Sequence, residues 1–336
     1  MTPSQRIQIS GLSGGNGPFS RLAQDVEKGL RGTPKELPPK YFYDARGSKL
    51  FDEICQLPEY YPTRTEHSIL RRIADSIVAE CQPETLVEFG PGNATKSRLL
   101  LNAMAKRGLL HQYVPIDLSA DFLREIFTIL GTAYPNLSIH GLIGDFQQPV
   151  ELRPDQRRRL VIFLGGTIGN LTPVEAQLFL RNVAGMLGPG DRFLLGTDLV
   201  KDIRQLERAY NDSAGVTAAF NLNILSVINQ NLGADFELDR FAHLAFYNHE
   251  ESRIEMHLVA RRAHQVWIKD INLTVSFQKG ESIRTEISCK YTPSMVEAML
   301  SGAGLRLCRW ETDERNLFGL ALSQAESQRF LARNNE

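Results

Sequence analysis

Short apolar runs alternate with longer amphipathic stretches through the middle of this 336-residue chain. Runs of this length, bounded by turn residues, are typical of buried strands, and the stretches between them have helical periodicity. Buried parallel strands covered by helices on both faces produce this rhythm. The pattern predicts a doubly wound α/β domain with strands at Thr85–Phe89, Gln112–Ile116, Leu137–Ile143, Leu160–Leu164 and Arg192–Gly196.

The rhythm changes after the fifth predicted strand. Residues 198–231 are largely helical in pattern, and residues 253–288 alternate between apolar and polar positions as half-buried strands do. The pattern then predicts a helix and two closing strands, at Ser294–Ser301, Arg306–Glu311 and Leu317–Leu322. Because these last elements resemble the end of the first sheet, we expect residues 200–290 to be an insertion in that domain.

Composition narrows the class of partner. Lys and Arg total 38 against 39 for Asp and Glu, so the charge does not favour nucleic acid or an anionic membrane. The amino terminus lacks the apolar segment of a signal peptide, and no apolar run reaches membrane length. The four cysteines lie far apart, with neither a CxxC pair nor zinc-site spacing. We therefore expect a cytoplasmic protein with reduced thiols and no metal.

The first predicted strand ends in the turn Glu88-Phe-Gly-Pro-Gly92, and a helix-forming stretch follows. A strand, a glycine turn and a helix together indicate a nucleotide-binding unit. An NAD-binding turn requires a third glycine, but Thr95 occupies that position. The Gly-Lys-Ser/Thr sequence of a phosphate-binding loop is also missing. The turn therefore indicates a nucleoside without favouring a pyrophosphate.

Three acidic residues stand at the ends of successive predicted strands: Glu88, Asp117 and Asp145. Carboxylates repel a pyrophosphate, but they accept hydrogen bonds from ribose hydroxyls and amino groups. A ligand with ribose, adenine and a positive centre suits them, and S-adenosylmethionine is such a ligand. An acid at a strand end also commonly caps the next helix, and Asp117 alone is open to that interpretation. Three such acids in order favour a methyltransferase.

Longer motifs carry a more specific signal, at Tyr43–Glu53, Leu57–Arg64, Phe163–Thr172, Gly196–Asp202, Ala209–Asn221, Arg253–Met256 and Thr285–Lys290. Together they resemble the histidine N-alpha-methyltransferases of ergothioneine biosynthesis, over nearly the whole chain after about Gln24. The resemblance implies a Rossmann-like class I methyltransferase domain with an inserted α+β substrate-binding domain. The first would comprise residues 65–199 and 291–336, and the second residues 1–64 and 200–290.

The resemblance also implies a reaction. Three methyl groups would pass, one at a time, from S-adenosylmethionine to the α-amine of L-histidine. The product would be the betaine hercynine, and this would be the first step of ergothioneine biosynthesis. No metal would take part, and we expect a monomer.

Site residues follow from the resemblance, motif by motif. Those expected to bind the cofactor, with Asp117 at the ribose and Asp145 and Phe146 at the adenine, are Tyr43, Gly90, Lys96, Asp117, Asp145 and Phe146. Those expected to bind histidine are Tyr60, Gly165, Asn170, Tyr210, Met256, Glu286 and Ser288. Catalytic roles are implied for Asn170, Tyr210 and Tyr43. The turn Gly90-Pro91-Gly92-Asn93 departs from the Gly-Ser-Gly-Thr form of the family, and Pro91 removes an N–H from it.

Other interpretations remain open for Asn170 and for the pair Glu286 and Ser288. Asn170 is placed to cap the helix that begins near Pro173. Glu286 and Ser288 lie two apart in a predicted strand, so both point to one face. They could hydrogen-bond to the two nitrogens of an imidazole, or they could simply lie on a solvated face of the strand. For the deprotonation of the amine, Tyr43, Tyr210 and water are all candidates.

Three alternative functions can be tested. A relative of the same family could methylate tryptophan or a tryptophan derivative instead of histidine. The chain could also bind the cofactor as a non-catalytic scaffold. A dehydrogenase is the weakest candidate, because the turn lacks the third glycine of an NAD site.

Overall fold

The structure is a computed structural model that describes residues 7–11, 21–150, 152 and 157–326. Its strands are β1 Ile7–Gly11, β2 Lys35–Glu36, β3 Thr85–Phe89, β4 Gln112–Asp117, β5 Ser138–Ile143, β6 Arg159–Phe163, β7 Arg192–Asp198, β8 Phe241–Asn248, β9 Arg253–Ala260, β10 His264–Ile268, β11 Leu273–Phe277, β12 Ser282–Cys289, β13 Leu305–Thr312 and β14 Phe318–Ala325. Its α-helices are α1 Leu22–Arg31, α2 Ala45–Gln56, α3 Pro62–Cys81, α4 Ser97–Lys106, α5 Ala120–Ala133, α6 Pro173–Met186, α7 Ile203–Tyr210, α8 Val216–Leu232 and α9 Pro293–Gly302.

The chain divides into two compact units. The first consists of the described residues within Met1–Gly17, Thr65–Leu199 and Tyr291–Glu336, and the second of those within Pro18–Arg64 and Val200–Lys290. The expected division differs at the amino terminus, where all of residues 1–64 were assigned to the substrate-binding part. That assignment is wrong for β1, which pairs in parallel with β5 and so covers the edge of the first unit's sheet. Residues 1–6 and 12–20 lie outside the described residues.

The first unit contains an eight-stranded sheet in the order β1-β5-β4-β3-β6-β7-β14-β13. Its central strands are parallel, and the chain order reverses between β3 and β6. This is the arrangement of a doubly wound sheet, and it confirms the predicted Rossmann-like domain. Strand β14 lies between β7 and β13 and runs antiparallel to both. The predicted strands all form, each within one to three residues of its expected ends.

Apolar side chains on both faces of this sheet form the core. Every residue of β3 is buried, and Leu86, Leu160 and Ile162 have no exposed surface. Leu70 and Ile77 of α3 belong to the same apolar cluster. Burial of each such side chain stabilises the fold by roughly 1.5–3 kcal/mol. The continuous apolar runs of the sequence therefore become a sheet covered on both sides.

The second unit is built on a four-stranded sheet in the order β2-β12-β9-β8, with a separate β10-β11 hairpin. Asn221, a fully buried residue of α8, joins that helix to the sheet. Its Oδ1 accepts a hydrogen bond from Thr285 Oγ1 at 2.6 Å, and its Nδ2 donates to the His257 carbonyl at 3.1 Å. A buried amide with these partners fixes the position of α8 on β9 and β12.

Strand β12 contains a β-bulge that decides where its side chains point. Arg284 pairs with His257, but Glu286 pairs with Met256, so Thr285 is an extra residue. A bulge shifts the alternation of a strand by one residue. Glu286 consequently lies on the same face as Met256, instead of on the face of Arg284.

Gly47 allows α2 to begin close to the preceding turn. Asp44 caps the helix, because its Oδ1 accepts hydrogen bonds from Gly47 N at 2.7 Å and Asn223 Nδ2 at 2.8 Å. A Cβ at Gly47 would lie 1.7 Å from the Phe42 carbonyl oxygen. This contact requires glycine at that position.

Gly47→Ala is expected to destabilise the protein by about 1–3 kcal/mol, because the backbone must move to relieve the clash. Gly185→Ala in α6 is the matched control, since a Cβ there meets nothing within 4 Å and alanine favours a helix. Urea unfolding of the two variants measures the difference. Equal midpoints for the two variants would contradict the packing argument.

None of the described helices is long and apolar enough to cross a membrane. All four cysteines are free thiols, at Cys55, Cys81, Cys289 and Cys308.

Candidate active site

The expected cofactor residues of the first unit follow its parallel strands. Gly90 directly follows β3, Asp117 is the last residue of β4, and Asp145 comes two residues after β5. Gly165 comes two residues after β6, on the other side of the point where the strand order reverses. Ligands of doubly wound sheets bind outside the carboxyl ends of the strands at such a point. These residues therefore lie where a nucleoside site is expected.

The turn after β3 forms without the missing N–H of Pro91. Gly90 and Gly92 have positive φ angles of 62° and 53°, which favour glycine. Gly90 N donates to the Ile116 carbonyl at 2.9 Å, and the Pro91 carbonyl accepts from Ala94 N at 3.0 Å. A Cβ at Gly90 would meet nothing within 4 Å. The conformation, and not lack of space, accounts for the glycine.

Asp117 is not the cap of the next helix. Ser119 caps α5, and its Oγ accepts from Phe122 N at 3.2 Å. Asp117 Oδ1 accepts from Ser119 N at 2.9 Å. Burial raises the pKa of Asp117 to about 6, and the neighbouring backbone N–H groups limit this rise. The carboxylate is therefore mostly ionised at neutral pH and can accept hydrogen bonds from hydroxyls.

Asp145 and Phe146 are held next to each other after β5. Asp145 Oδ1 accepts from Gln147 N at 3.0 Å. The Phe146 ring packs against Phe163 and Phe179, with ring centroids 5.1 and 5.8 Å apart. A fixed carboxylate beside a fixed aromatic ring suits the amino group and the face of an adenine.

Glu88 has a different role from the other two strand-end acids. Only 2% of its surface is exposed, and its Oε2 accepts hydrogen bonds from Ser97 Oγ and Tyr113 OH. Its carboxyl group is thus turned into the first unit, where it joins β3, β4 and the start of α4. Burial raises the pKa of Glu88 to about 7, while the two hydroxyl donors lower it.

The raised pKa of Glu88 predicts that stability falls with pH. Because the folded state holds this proton more strongly than the unfolded state, the contribution of Glu88 to stability is greatest below pH 4.5 and is lost as the pH rises towards 7. The size of this effect is roughly 3 kcal/mol. Glu88→Gln keeps an acceptor but cannot ionise, so its unfolding free energy should vary less between pH 5 and 8. Parallel urea titrations measure this, and equal slopes for both proteins would contradict it.

Glu66, which the sequence did not single out, holds two of the expected ligands. It is fully buried in α3, and it accepts hydrogen bonds from Lys96 Nζ at 2.5 Å and from Gly165 N at 2.9 Å. A Cβ on Gly196 of β7 would come within 2.2 Å of Glu66 Oε1. Glu66 therefore fixes the turn after β3 and the end of β6 relative to each other.

Asn170 ends a 3-10 turn that follows β6, and it is half-buried. The capping interpretation is wrong, because Thr172 caps α6 in a reciprocal pair with Glu175. Thr172 N donates to Glu175 Oε2 at 2.8 Å, and Glu175 N donates to Thr172 Oγ1 at 3.3 Å. The helix start therefore does not require the amide of Asn170.

The remaining expected substrate residues lie in the second unit. Glu286 and Ser288 share one face of β12, opposite Met256 and Ile254 of β9. Ser288 and Met256 are buried, whereas Glu286 is half-buried. Tyr210, at the end of α7, donates its hydroxyl hydrogen to Ser288 Oγ at 2.8 Å. An acceptor, a hydroxyl and an apolar side chain are thus adjacent on one surface.

Aromatic rings continue this surface within the second unit. Tyr60 lies 6.3 Å from Tyr210 and 6.2 Å from Phe51, measured between ring centroids. Tyr43 lies 5.6 Å from Phe51 and 5.7 Å from Phe220. We call these five rings the aromatic cluster. Aromatic faces attract cations such as sulfonium and trimethylammonium groups.

The phenols of Tyr43 and Tyr60 stay protonated at neutral pH. Desolvation raises the pKa of Tyr43, and the Glu286 carboxylate raises it further. Because 44% of the Tyr43 surface is exposed, we attribute the raised pKa of Tyr43 more to the charge of Glu286 than to desolvation. Burial also raises the pKa of Tyr60. Both side chains can donate hydrogen bonds, but neither is a phenolate that could take up a proton.

A second residue missed by the sequence interpretation is Lys290. It is fully buried, and its Nζ donates to Ser288 Oγ and to Tyr210 OH. It was present only as the last residue of the motif Thr285–Lys290.

Among the described residues, no group of three or more His, Cys, Asp or Glu side chains is arranged to hold a metal ion.

A doubly wound sheet with a glycine turn, acids at its strand ends and no third glycine is typical of the class of S-adenosylmethionine-dependent methyltransferases. A family model described as "Histidine-specific methyltransferase, SAM-dependent" matches residues 22–325. This chain belongs to that family, which confirms the resemblance and the fold class inferred from the sequence.

Individual relatives agree with the family assignment. The chain is 51% identical to a histidine N-alpha-methyltransferase of Mycolicibacterium smegmatis, over 90% of this chain and 94% of that protein. It is 48% identical to a histidine N-alpha-methyltransferase of Mycobacterium tuberculosis, over 95% of this chain and 99% of that protein. It is also 31% identical to ergothioneine biosynthesis protein 1 of Neurospora crassa, over 86% of this chain and 33% of that protein.

Proposed function

We propose that this enzyme transfers three methyl groups from S-adenosylmethionine to the α-amine of L-histidine. The product is hercynine, and the reaction is the first step of ergothioneine biosynthesis. The observation that carries the proposal is the position of Glu286 and Ser288 on one face of β12, beside Met256. The names of the two bacterial relatives support the same acceptor.

The two polar side chains suit an imidazole ring. A carboxylate accepts the hydrogen bond of one ring N–H, and a hydroxyl pairs with the other ring nitrogen. Met256 supplies an apolar contact for the ring. An amino acid without an imidazole makes neither of these hydrogen bonds, and each one lost costs about 1–3 kcal/mol at a buried site. This penalty is the proposed source of specificity for histidine.

The first unit is proposed to bind the cofactor and the second unit to bind histidine, with Tyr43 of the second unit as an additional cofactor contact. Asp117 accepts hydrogen bonds from the ribose hydroxyls, and Asp145 and Phe146 bind the adenine. Gly90 and Lys96 complete the cofactor set. The acids and the open glycine turn fit a nucleoside that carries no phosphate.

In each transfer the amine nitrogen forms a bond to the methyl carbon while the bond from that carbon to sulfur breaks. The amine loses one proton per transfer, and S-adenosylhomocysteine leaves. Asn170, Tyr210 and Gly165 are proposed to hold the amine and carboxylate of histidine, because an amide offers both a donor and an acceptor. Positioning of the amine should supply much of the rate. Because the phenol of Tyr43 stays protonated, Tyr210 and water remain the candidates for the proton acceptor.

Cation binding fits the aromatic cluster. Each transfer starts from a sulfonium, and the last one leaves a trimethylammonium group. An aromatic face stabilises such a cation by about 0.5–2 kcal/mol. The proposal further includes a cytoplasmic location and no metal, on the basis of the scattered cysteines of the sequence, and a monomeric state.

Calorimetric titration with S-adenosylhomocysteine and then with L-histidine tests the proposal, followed by mass spectrometry of the amino acid after incubation with S-adenosylmethionine. We expect saturable binding of both ligands and the stepwise addition of three methyl groups. Binding without a gain in mass would instead support a non-catalytic scaffold. Methylation of tryptophan in preference to histidine would favour the alternative acceptor.

A further inference from the structure

Lys290, Ser288 and Tyr210 form a closed triangle of polar groups in the second unit. Lys290 Nζ donates to Ser288 Oγ at 2.7 Å and to Tyr210 OH at 3.0 Å. Tyr210 OH donates to Ser288 Oγ at 2.8 Å. At most 7% of the surface of any of the three is exposed. Buried lysines are rare unless their ammonium group is well hydrogen-bonded, so this arrangement calls for a functional explanation.

The triangle determines what Ser288 can offer a ligand. A serine hydroxyl has two lone pairs and one hydrogen. Both lone pairs of Ser288 Oγ are occupied, one by Lys290 and one by Tyr210. Towards a further partner, Ser288 can therefore act only as a donor.

Glu286 offers the opposite polarity on the same face. It lies two residues before Ser288 in β12, and an ionised carboxylate can only accept hydrogen bonds. The two side chains thus match a ring with one N–H and one nitrogen lone pair. Neutral imidazole has this pattern, whereas imidazolium has two N–H groups and would place one of them against the Ser288 hydrogen.

We propose that Lys290 is a positioning residue that makes Ser288 a hydrogen-bond donor and thereby selects the neutral imidazole of the acceptor. This inference rests on the proposed function, because it assigns the polarity of the same histidine site. The ammonium charge acts in the same direction, since it disfavours a second positive charge next to Ser288. Lys290 also lies over the Tyr210 ring, 4.9 Å from the centroid, which holds its amino group in place.

Several other titratable groups lie around the triangle. Glu286 precedes it on β12, and its charge acts on Tyr43 and Tyr60. Tyr60 packs against the Tyr210 ring. His243 of β8 hydrogen-bonds the Tyr210 carbonyl through Nε2 at 2.9 Å, and burial lowers the pKa of His243. A pH test must therefore compare variants that leave all of these groups in place.

Lys290→Met and Lys290→Arg provide this comparison. Methionine removes the charge and the donors, whereas arginine keeps both. The dissociation constant of L-histidine is measured by calorimetry between pH 5.5 and 8, with S-adenosylhomocysteine kept saturating. Saturable binding of S-adenosylhomocysteine by each variant shows that it is folded.

In the wild-type protein, the dissociation constant is expected to rise about tenfold between pH 8 and 5.5, as the imidazole of histidine becomes protonated. In Lys290→Met it should be higher at pH 8, but it should rise less than about threefold over the same range, because Ser288 regains a lone pair. Lys290→Arg should restore much of the wild-type slope. A merely structural lysine would change the affinity without changing the slope.

An unchanged slope in Lys290→Met overturns this inference while leaving the proposed function intact. If Lys290→Met does not fold, Ser288→Ala decides: a flat profile in this variant supports the inference, and a steep profile overturns it. Failure of the wild-type protein to bind histidine overturns both the inference and the proposed function.

Discussion

Replacing Glu286 by alanine is expected to raise the KM for L-histidine roughly tenfold to a hundredfold. A hydrogen bond to a charged group contributes about 1.5–3 kcal/mol, and the loss of the carboxylate leaves the imidazole N–H without its acceptor. Glu286 is half-buried beside the buried Met256, so water replaces that acceptor poorly. The kcat should fall less, since the imidazole is remote from the amine that reacts. Steady-state kinetics with saturating S-adenosylmethionine measure both constants.

Two further variants control this result. Glu286→Gln keeps a neutral acceptor, so its KM should lie between those of the wild type and the alanine variant. Glu250→Ala removes an exposed glutamate between β8 and β9, and it should leave the KM unchanged. An unchanged KM for histidine in Glu286→Ala would remove the basis of the histidine assignment.

Replacing Asp117 by alanine is expected to raise the dissociation constant of S-adenosylhomocysteine about a hundredfold or more. The side chain is proposed to accept hydrogen bonds from the ribose hydroxyls, and each such bond to a charged group contributes about 1.5–3 kcal/mol. Burial raises the pKa of Asp117 to about 6, so the free carboxyl group takes up a proton below that pH. Affinity in the wild type should therefore fall as the pH drops below 6, and Asp117→Ala should lose this dependence.

Asp121→Ala is the matched control for Asp117→Ala. Asp121 lies in the first turn of α5, its side chain is 90% exposed, and it pairs with Arg124 on the helix surface. Its replacement should leave the affinity for S-adenosylhomocysteine unchanged at every pH. If both variants bind with the wild-type affinity, Asp117 is not a ribose ligand.

The sequence predicted the sheet well because buried parallel strands have an unmistakable pattern. The strand Thr85–Phe89 has the predicted bounds, and Gln112–Asp117 and Arg192–Asp198 extend the predictions by one and two residues. The predicted ribose acid, Asp117, also lies at the strand end where the pattern put it. In contrast, β1 was missed, because a five-residue strand that pairs with β5 depends on a contact more than a hundred residues away.

The features that the sequence did not predict depend on side-chain direction. A prediction based on side chains alternating between the two faces of a strand does not indicate the bulge at Thr285. This bulge places Glu286 on the same face as Met256. Glu88 resembles the other strand-end acids in sequence, but its hydrogen bonds turn it inward. The sequence did not single out Glu66 or Lys290, and the side chains of both are fully buried. The motif Thr285–Lys290 did contain Lys290, and its inclusion was the available clue.

The central claim is that the acceptor is the α-amine of L-histidine and that it receives three methyl groups. Its most direct test is incubation of the purified protein with S-adenosylmethionine and an equimolar mixture of the common amino acids, followed by mass spectrometry. The account predicts that histidine alone is converted, through singly and doubly methylated forms, to the trimethylated betaine. Trimethylation of tryptophan, or of no amino acid at all, would contradict it.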